Sequence, residues 1–170
     1  VSYIIRKAGA LDIPRLKKLF DDYYQANWRG SVEQFEKDFA EDIFKIFVAE
    51  IADKDLVGFI VWTITYDLNW CMKGGDTIDF YVSPTHRGRG AALLLTIETV
   101  AEIQKSGGKF LKGGAANLTV RRYFERIAMC PADGECYISG RAFRHLSELS
   151  GKDVRKVIKN LPETAWNYEA

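Results

Sequence analysis

Two arginines and two glycines alternate in Arg87-Gly88-Arg89-Gly90, between a strand-like end at Tyr81-Val82 and an apolar run that begins at Ala91. A helix start carries several unpaired N–H groups and a partial positive charge. Glycines at 88 and 90 let an anion reach that backbone, and arginines at 87 and 89 add charge-assisted hydrogen bonds. Ala92 is small enough to keep the helix start open. The stretch lacks the lysine-serine end of an ATP-binding P-loop and the spacing of a dinucleotide fingerprint. Its chemistry is that of a pyrophosphate cradle; taken alone, the four residues also fit a tight turn or a basic patch.

The elements that must hold this loop follow from periodicity. Tyr3 to Arg6 reads as a short strand. Asp12 can cap a helix with Pro14 in its first turn and Leu16, Leu19, Phe20, Tyr23 and Tyr24 at helical spacing. Ser31 can cap a second helix carrying Val32, Phe35, Phe39 and Ile43. Ile46 to Ile51, Val57 to Tyr66 and Thr77 to Val82 are strands, and Asp67 to Asp76, with Gly74-Gly75, is a loop. A helix over Ala91 to Lys105 ends at Gly107-Gly108. A strand that begins at Phe110-Leu111 and reaches Gly113-Gly114, a helix over Leu118 to Met129 and a strand over Glu135 to Ser139 follow. The order β-α-α-β-β-β-α-β-α-β, with a helical tail, describes one α/β domain around a mixed sheet. In the tail, Ser150 to Leu161 places Lys152, Arg155, Lys156 and Lys159 on one face and Val154, Val157, Ile158 and Leu161 on the other.

A chain of 170 residues is long enough for one sizeable core. The formal net charge of +1 points to no nucleic acid or membrane surface, and no apolar run is long enough to span a bilayer. The first residues lack a signal-peptide pattern, so a cytoplasmic location is expected. Cys71, Cys130 and Cys136 show no paired zinc spacing and read as free thiols; with only two histidines, no metal site is expected. His86 reads as a turn residue, and His145 has no apparent partner for catalysis.

Arg87-x-x-Gly90-x-Ala92, after a strand and Ser83-Pro84 and before an apolar helix, resembles the acetyl-CoA signature of the GNAT N-acetyltransferase superfamily. The element order from Tyr3 to about Met129 is similar as well. Asn117, followed by a helix with Tyr123-Phe124-Glu125-Arg126, resembles the second signature. The resemblance implies an α/β GNAT fold: a central mixed, mostly antiparallel β-sheet flanked by helices, with a helical C-terminal extension. Residues 1–143 would form the acetyltransferase domain and 144–170 a helical extension packed on it. Acetyl-CoA is the implied cofactor. Its pyrophosphate would lie on the N–H groups of Gly88, Arg89, Gly90, Ala91, Ala92 and Leu93 beside Arg87. Its pantetheine arm would follow Phe80, Tyr81 and Val82, with Asn117 and Phe124 next to it.

One departure concerns catalysis. The family often places a tyrosine seven residues after the asparagine, where it protonates the leaving thiolate; that position is Phe124 here. Tyr123 stands one residue earlier, a rotation of about 100° on a helix. Tyr123, Tyr81 and Tyr137 are the replacement acids to consider, and Tyr123, Asp79 and Tyr81 form the expected catalytic set.

Gly58 to Trp70 and Ile78 to Val82 resemble the spermidine/spermine N-acetyltransferase branch, in a Gly-Phe start, a Tyr-Asp strand end, a nearby tryptophan and an aspartate before aromatic-aromatic-valine. The resemblance implies a polyamine channel lined by Asp67, Trp70 and Asp79, with Glu135 and Tyr137 beyond. The branch's glutamate base falls on Ile78, so neither the base nor the acid of that pattern is present. Carboxylates attract a polycation and an aromatic face adds cation–π attraction. Equally ordinary roles are a turn for Asp67, a loop anchor for Trp70 and a salt bridge or hydrogen bond for Asp79. The expected partner is a small-molecule amine, with a homodimer allowed and no membrane partner. The alternatives are a protein or aminoacyl-tRNA amine reached through the basic tail, and a non-catalytic acyl-CoA-binding module.

Overall fold

β-Branched and aromatic residues fill three successive segments, and the chain folds them into a meander. In the computed structural model, which describes residues 2–114, 121–122, 124–128, 134–159 and 161, these are β2 (Lys45–Glu50), β3 (Leu56–Asp67) and β4 (Met72–Val82). β1 (Ile4–Lys7) pairs with β2, while β5 (Leu111–Gly113) and β6 (Cys136–Ile138) extend the other side. One sheet results, in the order β1-β2-β3-β4-β5-β6. Every neighbouring pair is antiparallel except β4 and β5, which are parallel.

The period-2 alternation of β3 sorts the core into two layers. Phe59 and Val61 face Leu16, Leu19 and Phe20 of α1 (Ile13–Tyr23), with Phe35 and Phe39 of α2 (Val32–Ala40) packed behind. Ile60 and Trp62 belong to the opposite layer with Leu95, Ile97, Val100 and Ile103 of α3 (Ala91–Lys105) and Phe143 of α4 (Gly140–Ser147). Among the described residues of the expected Leu118–Met129 helix, Arg121, Arg122 and Phe124 are helical. The tail helix α5 (Val154–Lys159) buries Val157 fully in the α3 layer. Ile158, expected beside it, is 40% exposed: a helix this short buries only a narrow stripe. Lys152, Arg155, Lys156 and Lys159 are exposed.

Ser31 caps α2 through a bond from Gln34 N–H, and Pro14 occupies the first turn of α1, both as the sequence indicates. Four local expectations are revised. Asp12 stands at the N-cap of α1 but makes no side-chain cap bond; buried, it accepts from Arg6, Arg15 and Gly9 instead. Ile43 lies beyond the end of α2 and is exposed. Gly74-Gly75 is strand rather than loop, since β4 starts at Met72. A Cβ at Gly74 would stand 2.5 Å from the Phe110 ring and one at Gly75 2.3 Å from Ile103, so these glycines let β4 pass beneath two core side chains. Finally, Cys136 is disulfide-bonded, and Cys71 alone among the described cysteines is free.

Candidate active site

Among the described residues, β4 and β5 pair at Gly75↔Leu111 and Asp76↔Lys112 alone. Among the same residues, β4 has no β5 partner from Thr77 to Val82, and the sheet opens there. Its register with β3 steps from Val61↔Asp79 to Trp62↔Thr77, so Ile78 is an extra, bulged residue at the mouth of the opening. Ser83 N–H donates to Val57 O on the β3 side. By strand alternation, the N–H groups of Val82 and Phe80 point the other way, into the opening, and that of Tyr81 points to β3. Phe80 meets Phe124 edge-on, with centroids 6.4 Å apart, on the α3 side.

The Arg-Gly-Arg-Gly loop closes the end of this opening. A 3-10 turn at Pro84–His86 leads into Gly88 at φ 69° and Gly90 at φ 93°. Both conformations suit glycine, and nothing lies within 4 Å of the position a Gly88 Cβ would take. Gly90 is the N-cap of α3; Leu94 N–H is the first to bond back, to Gly90 O at 3.1 Å. The preceding N–H groups of that turn are left facing the loop. Arg87 Nε donates to Val82 O at 2.9 Å, and its guanidinium lies 5.7 Å from the Tyr81 ring centroid. One arginine thus braces the strand end while its Nη groups stay at the exposed loop. His86 is tied to Tyr3 through Nδ1 at 3.2 Å, which makes it a turn anchor. This geometry fits a CoA pyrophosphate: open backbone, two positive-φ glycines and a held arginine.

The opposite face, beside α1, carries the charge. Thr63, Asp76, Lys112 and Tyr137 form one cross-strand row from β3 to β6. Asp79, opposite Val61, and Asp67, further along β3, share that face by alternation. Lys112 bonds Glu135 at 2.9 Å and Asp76 at 3.4 Å. Burial pushes the Tyr137 hydroxyl above its usual range; Lys112 opposes this, and Glu135, Asp67 and Asp76 add to it. Among the described residues, the face therefore sets Asp67, Asp76, Asp79 and Glu135 against Lys112. Asp67 also accepts Trp70 N–H at 3.0 Å, so its turn role is real; Trp70 is 55% exposed at the hairpin end.

Asp79 has a partner that periodicity hid. Tyr24, just past α1, donates its hydroxyl to Asp79 Oδ2 at 2.5 Å. Burial, then the Asp79 charge, raises the Tyr23 hydroxyl to about 12, and burial, then the hydrogen bond to Asp79, raises the Tyr24 hydroxyl further. Tyr23 packs on Tyr24, Phe59 and Tyr81. In the sequence these tyrosines are two apolar-face positions of a helix; the only signal was hydroxyls in a stripe otherwise made of leucine and phenylalanine. Lys112 was missed too, being one lysine of many. The structure brings Asp67, Asp79, Glu135 and Tyr137 to one face and sets Tyr81, largely buried, between that face and Arg87. Asn117 and Tyr123 lie outside the described residues. Among the described residues there is no cluster of metal-binding side chains, and no helix is long and apolar enough to cross a membrane.

The model of the acetyltransferase (GNAT) family matches residues 13–129. Among solved structures, the chain is similar to a ribosomal-protein-alanine N-acetyltransferase from Brucella melitensis biovar Abortus 2308 (TM-score 0.65, 21% identity, 78% of this chain and 95% of that one). It is similar to an integron cassette protein from the mobile metagenome of V. cholerae (0.63, 20%, 87% and 99%). An aminoglycoside acetyltransferase from an uncultured soil metagenomic sample shares the fold as well (0.59, 17%, 68% and 79%). No curated protein sequence matches the chain.

Proposed function

Because the chain belongs to the GNAT acetyltransferase family, we propose that it moves the acetyl group of acetyl-CoA to a primary amine carried by a small cationic molecule such as a polyamine. The observation that carries the acceptor class is the acidic face: Asp67, Asp76, Asp79 and Glu135 against Lys112, next to the opening of the sheet. Glu135 is already engaged by Lys112, so Asp67 and Asp79 are the carboxylates left for a substrate cation. Exposed Trp70 offers an aromatic face to the same cation.

The N–H groups of Gly88 to Leu93, with Arg87 and Arg89, hold the cofactor's pyrophosphate. Phe80 to Val82, with Phe124, line the path of its pantetheine arm; Asn117 joins them by the family pattern. The cofactor supplies an acetyl thioester. The N–H groups of Phe80 and Val82 in the opening polarise its carbonyl. The amine attacks directly, so the protein needs no covalent intermediate. A lysine-like amine has a pKa of about 10.4, so its neutral form costs roughly 4–5 kcal/mol at pH 7. A carboxylate beside the reacting nitrogen favours its ammonium form, so Asp67, far along β3, is assigned to a distal ammonium. Asp79 is assigned to the reacting nitrogen, where it opposes loss of the first proton but stabilises the positive charge that grows as nitrogen attacks. Tyr81 and Tyr123 are the hydroxyls available to protonate the leaving thiolate.

The test is release of CoA thiol from acetyl-CoA across polyamines, amino acids, aminoglycosides and lysine peptides. Turnover is expected with polyamines. Asp67→Asn should raise the acceptor KM about tenfold and leave CoA affinity unchanged. A macromolecular acceptor, favoured by the exposed basic face of α5, would instead make turnover depend on Arg155 and Lys156. Silence with folded protein that binds CoA would favour a binding module.

A further inference from the structure

We propose that Tyr24 is a positioning residue for this transfer: its hydroxyl fixes the Asp79 carboxylate in one orientation, as the receptor for the acceptor's reacting nitrogen. The proposal rests on the reading of the acidic face as the acceptor site.

Three observations meet at this pair. The first is the bond itself, Tyr24 Oη to Asp79 Oδ2 at 2.5 Å, between residues 55 apart in the chain. The second is how Tyr24 is held. Its ring packs on Tyr23 at 4.6 Å between centroids, and Tyr23 in turn packs on Phe59 at 6.0 Å and Tyr81 at 5.6 Å. Directly after it, Gln25 and Ala26 take φ of 53° and 61°, so the chain leaves α1 by a tight left-handed turn that sets Tyr24 over β4. The third is the place of Asp79. It follows the bulged Ile78, where β4 has lost its β5 neighbour, one residue before Phe80.

The chemistry requires such a device. When an amine attacks a thioester carbonyl, the C–N bond forms, the C–S bond breaks, and nitrogen becomes positive before it sheds a proton to water. A carboxylate that accepts one N–H of the amine turns the lone pair away from itself and stabilises that positive charge. It can do so only when held in one orientation. Asp79 is half-buried, and the Tyr24 hydroxyl bonded to its Oδ2 supplies that hold.

The titratable groups around Asp79 are few among the described residues. Tyr23 and Tyr24, at the end of α1, both interact with it. Asp76 and Tyr81 flank it on its own strand, Arg87 lies over Tyr81, and Lys112 of β5 is bound to Asp76 and Glu135. Tyr24 makes the 2.5 Å bond, so its removal should be felt at Asp79 first.

Tyr24→Phe deletes one oxygen and keeps the ring. Carboxyl carbon NMR near neutral pH should show the Asp79 signal displaced in Y24F; an unmoved signal overturns the proposal. With spermidine and acetyl-CoA, Y24F should lower kcat/KM about tenfold. Added to Asp79→Asn, Y24F should change kcat/KM by less than about twofold, because its effect passes through Asp79. Independent, multiplying losses overturn the proposal. If Asp79→Asn alone leaves spermidine turnover intact, or the unaltered protein does not turn spermidine over, the acceptor reading fails instead, and the carbon signal decides the pair by itself.

Discussion

Arg87 shows how one side chain can serve both strand and loop. Its Nε is spent on Val82 O and its plane on the Tyr81 ring. The part of the guanidinium left for phosphate is therefore pre-aimed, which lowers the ordering cost of binding. Arg87→Ala should weaken CoA binding about tenfold or more, read by calorimetry, with the far-UV spectrum unchanged; unchanged affinity would contradict the cradle. The turn at Gly88 and Gly90 was legible in the sequence because positive φ suits glycine. The partners of Asp79 were not, because hydrogen bonds between residues 55 apart leave no local pattern.

At the scale of elements, β4 decides the site. It must cross beneath Phe110 and Ile103, bulge at Ile78, and then run on without a β5 neighbour. Gly74→Ala would drive a methyl to 2.5 Å from the Phe110 ring. The expected cost is about 1–3 kcal/mol, seen as a lower Tm. Phe110 also touches Tyr137, at 6.0 Å between centroids, so acceptor KM should rise as well. The helices over Ile13–Tyr23 and Ala91–Lys105 were predictable from Pro14, from the Gly107-Gly108 stop and from their apolar stripes. The start of β4 was misread because paired glycines usually mark turns, and only a ring packed over them explains glycine within a strand.

Over the whole molecule, a network at the sheet edge joins β1, α1 and β2. Asp12 is 3% exposed and bonds Arg6 and Arg15, while Arg6 also bonds Glu50 at 2.5 Å. The Arg6 hydrogen bond is the main reason that the Asp12 carboxyl is lowered to about 2. A depressed carboxylate stabilises the fold above the unfolded value near 4, and loses that contribution as pH falls from about 4 to 2. The contribution at pH 7 is about 2 kcal/mol. Asp12→Asn should thus lower unfolding free energy by about that amount at pH 7. The gap from the unaltered protein should close by pH 2, followed by denaturant unfolding across the range; a gap constant with pH would show that the ion pairs do not supply it.

The amino-acid sequence by itself determined the order of the described elements, the Ser31 cap and the glycine turn at Gly88 and Gly90, because each depends on neighbours within a turn or two of the chain. It also carried the family, through Arg87-x-x-Gly90-x-Ala92. Only the tertiary structure decided that Asp12 is an ion-pair hub rather than a cap, and that Lys112 spends Glu135. The Tyr24–Asp79 bond is of the same kind. These are pairings between charged or hydroxyl groups on distant elements. Their energies depend on burial and on distances of a few ångströms, and both exist only once the sheet has set its register.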